Sequence, residues 1–127
     1  MRIDYYLGDL KNHIKWAYQR AFRGYDDTAH WGLCDCIMEI VIPVLERELK
    51  IEGVSGYPHY LLQFYPELSF KELEKKWFEI RKKIVGGFKM NLEVDEFELN
   101  DKDRAEYYKK TQEASKLFGK YFYNLWM

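Results

Sequence analysis

Apolar residues in this chain return every three to four positions through at least three long segments, and that period constrains the fold more than any other feature of the sequence. Leu10, Ile14, Ala17, Ala21 and Phe22 fall on one face of a helix from about Asp9 to Arg23, which Gly24 should end. Asp26 and Asp27 then offer side-chain oxygens to the free amides of a second, long helix, with Trp31, Cys34, Met38, Val41 and Leu45 as its first buried positions. Pro43 lies inside that helix. Lacking an N–H and crowding the carbonyl four residues back, it is expected to kink the helix near Glu39 without breaking it.

The stretch from Ile51 to Pro66 holds Gly53, Gly56, Pro58 and Pro66 and reads as the main irregular connection, with one helical turn around Tyr60 to Phe64. Ser69-x-x-Glu72 announces a third helix, because in a capping box each side chain satisfies the other residue's amide. Phe70, Leu73, Trp77, Ile80, Ile84 and Phe88 form its apolar stripe, with lysines and glutamates on the remaining faces. Gly86 and Gly87 should weaken its last turns. An acidic connection through Glu93, Asp95, Glu96 and Glu98, with room for a short extended piece, leads to a cap at Asn100 or Asp101. The final helix, about Lys102 to Trp126, places Tyr107, Thr111, Ala114, Phe118, Tyr121 and Leu125 on one side. No repeat or low-complexity tract interrupts the pattern. The expected fold is all-α, with about four helices in a bundle-like arrangement around a common core, the second kinked at Pro43, in a single domain over residues 1–127.

A length of 127 residues is enough for one hydrophobic core, and 47% apolar with 32% charged residues is an ordinary globular balance. The formal charge of −1 argues against a surface built throughout for nucleic-acid phosphates, although a local basic patch stays open. The two cysteines, Cys34 and Cys36, stand one residue apart and cannot make the long-range disulfides of a small secreted protein, so a reducing cytoplasm is expected. The first ten residues show no basic start followed by an apolar core, and no window reaches the length of a bilayer span; neither export nor membrane insertion is expected.

Several motifs carry a resemblance that covers nearly the whole chain. They are Arg23-Gly24-Tyr25-Asp26-Asp27, then Trp31 and Leu33, the Ile40 to Leu49 segment, Gly56-Tyr57-Pro58, Trp77, Gly87-Phe88, and a closing Leu117-Phe118-x-x-Tyr121-Phe122-x-x-Leu125-Trp126. With its Arg-Gly-aromatic turn, Trp-x-Leu, Gly-aromatic-Pro loop and terminal Leu-Trp, the chain resembles a widespread family of small bacteriophage-encoded proteins. The resemblance implies an origin rather than an activity, and hence the cytoplasm of a host cell as the place of action. Many members carry Asp after the Trp-x-Leu, where this chain has Cys34.

Reactive side chains are sparse. His30 and Cys34, four apart on the expected second helix, would share a face and supply two zinc ligands, but two ligands do not make a site, and Cys36 would point elsewhere. A Cys/His nucleophile pair lacks an identifiable orienting partner. Asp26, Asp27 and Asp35 could hold a divalent ion, yet helix starts favour acids for electrostatic reasons alone. Arg20, Arg23 and Tyr25 complement the carbonyl end of the first helix and are also the candidates for binding a phosphate or a base. The lysine face of the third helix is interleaved with glutamates and reads as a solvated surface.

Aromatic residues, 18% of the chain with 11 tyrosines, are the most informative surplus. Tyr57, Tyr60, Phe64 and Tyr65 crowd one loop region, and Tyr121, Phe122, Tyr123 and Trp126 surround the C-terminal helix on all sides. Rings on more than one face suggest either a large core or a second buried surface, with Tyr57, Tyr60, Tyr65, Tyr123 and Trp126 as interface candidates. The resulting expectation is a non-enzymatic phage accessory protein without cofactor, metal or catalytic residues. It would act by binding a host or phage protein, including a host-defence protein, with a homo-oligomer as a further form of contact. The alternative is a nucleotide or nucleic-acid binder, including one that sequesters a nucleotide signal. A metal-dependent enzyme working through His30 is the weakest of the three.

Overall fold

The computed structural model describes residues 3–30, 32–51 and 56–125, with residues 3–8 and His30 described by their backbone alone. Among these residues there are helices and turns and no strand. Four α-helices run in order, α1 (Ile3–Arg23), α2 (Leu33–Lys50), α3 (Phe70–Glu93) and α4 (Asp101–Lys120), with 3-10 helices at Asp27–His30, His59–Gln63, Glu96–Glu98 and Phe122–Asn124. The fold is thus the small all-α, four-helix class expected from the periodicity. The chain divides into two compact units, Met1–Ile37 and Met38–Met127.

In the larger unit, α3 is the central element. The Ser69 hydroxyl accepts from the Glu72 amide at 3.4 Å and the Glu72 carboxylate accepts from the Ser69 amide at 3.2 Å, so the capping box forms as the sequence announced. Leu73, Trp77, Ile80, Ile84, Val85 and Phe88 of α3 are buried, together with Leu45 of α2, Leu61 of the 3-10 segment, Ala114 of α4, and Tyr121. Phe70, expected on this stripe, is instead exposed at the first helical position, its ring edge-on to Tyr57 at 5.4 Å. The helix does not falter at its glycine pair but continues to Glu93. The reason is packing: a Cβ on Gly87 would lie 2.3 Å from the Cβ of Ala114 and 2.8 Å from the carbonyl oxygen of Lys110, so Gly87 is where α3 and α4 touch backbone to backbone.

The acidic connection is extended at Val94 and Asp95. It then forms the 3-10 turn Glu96–Glu98, where Arg104 of α4 donates to the carbonyls of Glu96 at 3.1 Å and Leu99 at 2.9 Å. Asn100 is the N-cap of α4, accepting from the Asp103 amide at 2.8 Å. That helix ends at Lys120, short of the expected Trp126, and passes into the 3-10 turn Phe122–Asn124.

The smaller unit departs most from expectation. Helix α1 starts at Ile3 rather than near Asp9. Gly24, at φ +81°, ends it as predicted, its amide donating to the Arg20 carbonyl at 3.0 Å. Asp26 and Asp27 do not open the long second helix: they belong to a turn and the 3-10 helix Asp27–His30, and α2 begins only at Leu33. From there α2 runs through Pro43 unbroken to Lys50. Met38 and Leu45 are buried as expected, but Cys34 is exposed, and Trp31 lies outside the described residues. Leu10, Ile14 and Phe22, the expected inward face of α1, are exposed as well, Phe22 to 76%.

Candidate partner-binding surface

Helix α2 carries more apolar surface than one contact uses. At 100° per residue, Met38, Val41, Ile42, Leu45 and Leu49 share a side, and these are the positions that are buried or packed on the core. Ile40 and Val44 lie about 100–140° around the helix from Leu45, and they stay 67% and 53% exposed. Polar positions, Glu39, Glu46 and Lys50, occupy the remaining side. Apart from Glu48, which pairs with Arg81, the apolar arc is wider than a single helix contact needs.

The exposed half of that arc forms one wall of a groove. Ile40 and Val44, with Val41 and Leu45 below them, face Phe118, Phe122 and Leu125 across a cavity of about 210 Å³ with an almost entirely apolar lining. The far wall is held by edge-to-face ring contacts that run from core to surface, Phe88 to Phe118 at 5.4 Å, Phe118 to Phe122 at 5.5 Å, and Phe122 to Tyr123 at 5.4 Å. Phe88 is buried, while Tyr123 is 85% exposed. A larger depression of about 370 Å³ is shallow and lined by the polar residues Asn91, Thr111, Gln112, Ser115 and Lys116, whose alkyl portions supply much of its surface. Its hydroxyls are already spent on their own helix, Thr111 donating to the Tyr107 carbonyl at 3.0 Å and Ser115 to the Thr111 carbonyl at 3.1 Å.

The tyrosines expected at an interface divide. Tyr57, Tyr60 and Tyr65 are half-buried and packed on the core. Tyr60 lies edge-on to Phe64 at 5.1 Å and to Tyr121 at 6.0 Å, and the Lys76 ammonium sits over Tyr65 at 4.9 Å. They close the end of the core around Tyr121, whose ring also meets Trp77 at 5.5 Å. Burial, with the neighbouring Tyr65 and Tyr60 hydroxyls adding to it, pushes the Tyr121 phenol up to about 12. Tyr123 is displayed beside the groove, and Trp126 lies outside the described residues. Ile40 and Val44, the groove's other wall, carry no ring and so do not stand out in an aromatic surplus. Their signal was available in the three- and four-residue steps that separate them from Ile37 and from one another.

In the smaller unit the structure brings Arg20, Arg23 and Tyr25 together, as a clasp on the two acids. Arg20 donates to Asp26, whose other oxygen takes the Thr28 amide at 2.9 Å and the Thr28 hydroxyl. Arg23 donates to Asp27 at 2.8 Å and to the Tyr25 carbonyl at 3.0 Å, its guanidinium 4.5 Å from the centre of the Tyr25 ring. Gln19 receives the Asp27 amide at 2.9 Å and donates to its carboxylate at 3.0 Å, and Lys15 lies 3.3 Å from the same carboxylate. The hydrogen bonds from Gln19 and then Arg23 hold the Asp27 carboxyl down to about 2, and those from Thr28 and Arg20 lower Asp26. A carboxylate depressed in the folded state contributes its stabilisation above the ordinary value of 3.8 and loses it as the pH falls through the depressed one. Between pH 4 and pH 2 the turn is therefore expected to open, read as loss of hydrogen-exchange protection at the Asp27 and Thr28 amides after correction for intrinsic rates. Protection that persists undiminished at pH 2 would contradict the clasp.

The shared helix face expected of His30 and Cys34 does not form, because the two residues fall in separate helices, Asp27–His30 and Leu33–Lys50. The His30 side chain is outside the described residues. Cys34 approaches Asp35 at 3.7 Å, and Cys36 lies 3.9 Å from the Thr28 hydroxyl. Among the described residues no three His, Cys, Asp or Glu side chains come together as metal ligands, and no helix is long and apolar enough to cross a membrane. No protein family, curated protein or solved structure matches this chain.

Proposed function

We propose that this protein is a bacteriophage accessory protein that acts by binding another protein, a host or phage product, through the groove between α2 and the C-terminal aromatic segment. The observation that carries the reading is the exposed apolar wall of Ile40 and Val44 facing Phe118, Phe122 and Leu125. An apolar slot beside a helix is the form that receives an amphipathic helix, which anchors at three- and four-residue intervals. The phage origin rests on the sequence motifs, and blocking a host or host-defence protein is the mode of action this reading favours.

The nucleotide-binding alternative would use Arg20 and Arg23, whose guanidiniums are engaged by Asp26 and Asp27, so an arriving phosphate would compete with two carboxylates already in place. Affinity capture from phage-infected cells with the wild-type chain and with Ile40→Glu tests the groove. Because Ile40 is exposed, the charge should leave the fold intact, and partners held by the groove are expected to fall at least tenfold in the variant's capture. An identical set of partners on both chains would sink the reading.

A further inference from the structure

The groove is not the only exposed apolar surface in the chain. Helix α1 is amphipathic: Leu10, Ile14, Tyr18 and Phe22 recur at four-residue intervals, Ala17 and Ala21 fill the same side, and all six are exposed. Tyr18 and Phe22 stack on each other at 4.4 Å, which pre-forms a broad apolar end to the stripe. Within its own unit the stripe is an uncovered knob, and within the larger unit the groove is an uncovered slot.

Resting on the groove reading above, we propose that until a partner engages the groove its occupant is helix α1 of a second copy of this chain, exchanged reciprocally so that two chains form a symmetric dimer, and that the partner's helix displaces it. Area supports this choice. With large apolar side chains offering roughly 100–200 Å² each, the four exposed α1 residues present on the order of 500 Å², and Ile40, Val44 and Phe122 bring a comparable amount. One such contact is small for a stable complex, whereas two related by a twofold axis reach the roughly 1,200–2,000 Å² of a specific dimer. Each copy donates one helix and receives one, so the assembly closes at two with no apolar stripe left over. Size also agrees, since 21 residues of helix and 18 residues of helix are about 31 Å and 27 Å long.

Light scattering on the eluting full-length chain tests the assembly. The expected mass is twice the chain's 15.5 kDa at about 50 μM. Ile14→Glu and Val44→Glu, both at exposed positions, are each expected to give a single-chain mass with unchanged far-ultraviolet helicity. A disulfide trap, in a background with Cys34→Ser and Cys36→Ser, fixes who contacts whom. Mixing chains carrying Ile14→Cys with chains carrying Val44→Cys should yield a covalent dimer faster than either alone. A wild-type mass of one chain at this concentration overturns the proposal. So does a chain carrying both new cysteines that closes on itself, or Val44→Cys that cross-links only to its own kind. If the wild type is monomeric while Ile40→Glu still loses captured partners, the groove stands as a docking site and only its pairing with α1 fails.

Discussion

Replacing Arg81 with methionine is expected to cost about 3 kcal/mol, near the low end of what breaking a buried ion pair costs when one charge is left behind. Arg81 is only 5% exposed, on α3, and its guanidinium stands 3.7 Å from Oε2 of Glu48 on α2. The geometry is a charge contact without a hydrogen bond, and both Arg81 Nε and Glu48 Oε2 are buried with no hydrogen-bond partner. Burial pushes the guanidinium down and the Glu48 carboxyl up, in each case against the attraction of the partner. The cost of desolvation has therefore been incurred on both sides with incomplete compensation. The single variant strands a carboxylate that must stay charged or take up a proton. The double variant Glu48→Leu with Arg81→Met removes both demands and is expected to come back to within about 1 kcal/mol of wild type, because buried pairs seldom outperform well-packed apolar side chains. Urea denaturation of the four members of the cycle measures the coupling. Additive losses, with the double variant less stable than either single, would show that the two side chains are uncoupled and would overturn this account of the pair.

The second large effect concerns neighbouring glycines of opposite character. Gly87→Ala is expected to destabilise by about 1–3 kcal/mol, the range for forcing an extra methyl into a filled contact, because the new Cβ meets Ala114 at 2.3 Å and the Lys110 carbonyl at 2.8 Å. Neither obstacle is the free end of a flexible side chain, so α3 and α4 must separate. Gly86→Ala, where a Cβ would find nothing within 4 Å, is expected to stabilise by about 0.5–1 kcal/mol through helix propensity and a more restricted unfolded chain. Thermal melts of the two variants side by side check the contrast. Equal shifts of the same sign would show that the glycines act only through propensity.

How far the sequence could be read follows from where its signals are local. The capping box at Ser69, the helix stop at Gly24 and the stripe from Leu73 to Phe88 depend on residues within a turn or two of each other, and all appear in place. Gly86 and Gly87 were indistinguishable in sequence, because only a partner helix decides whether a missing Cβ is a weakness or a fit. Asp26 and Asp27 showed the chemistry of a cap, and Asp26 does accept the Thr28 amide. But the Asp27 carboxylate is held by Gln19 and Arg23 of α1, and the helix that follows the two acids is the short Asp27–His30 turn, with α2 beginning only at Leu33. The α1 stripe was legible as a stripe. Its amphipathic period says that one side seeks cover and is silent on which surface provides it, and that is why Leu10, Ile14 and Phe22 were expected to be buried and are exposed. In the same way the ring surplus was legible, while its division into a core seal of Tyr57, Tyr60 and Tyr65 and a displayed Tyr123 required the third dimension.

The two-sided character of α2 also sorts the chain's mutations. Leu45 and Val44 are adjacent in sequence, but one is the floor of the core and the other the rim of the groove. Damage at the first is felt by every property of the molecule at once, as a lowered level of folded protein. Damage at the second leaves a normally folded protein in isolation. In a genetic screen for lost activity, lesions in this single helix would thus fall into two phenotypic classes, distinguishable by whether the protein still accumulates, and they would change class from one codon to the next.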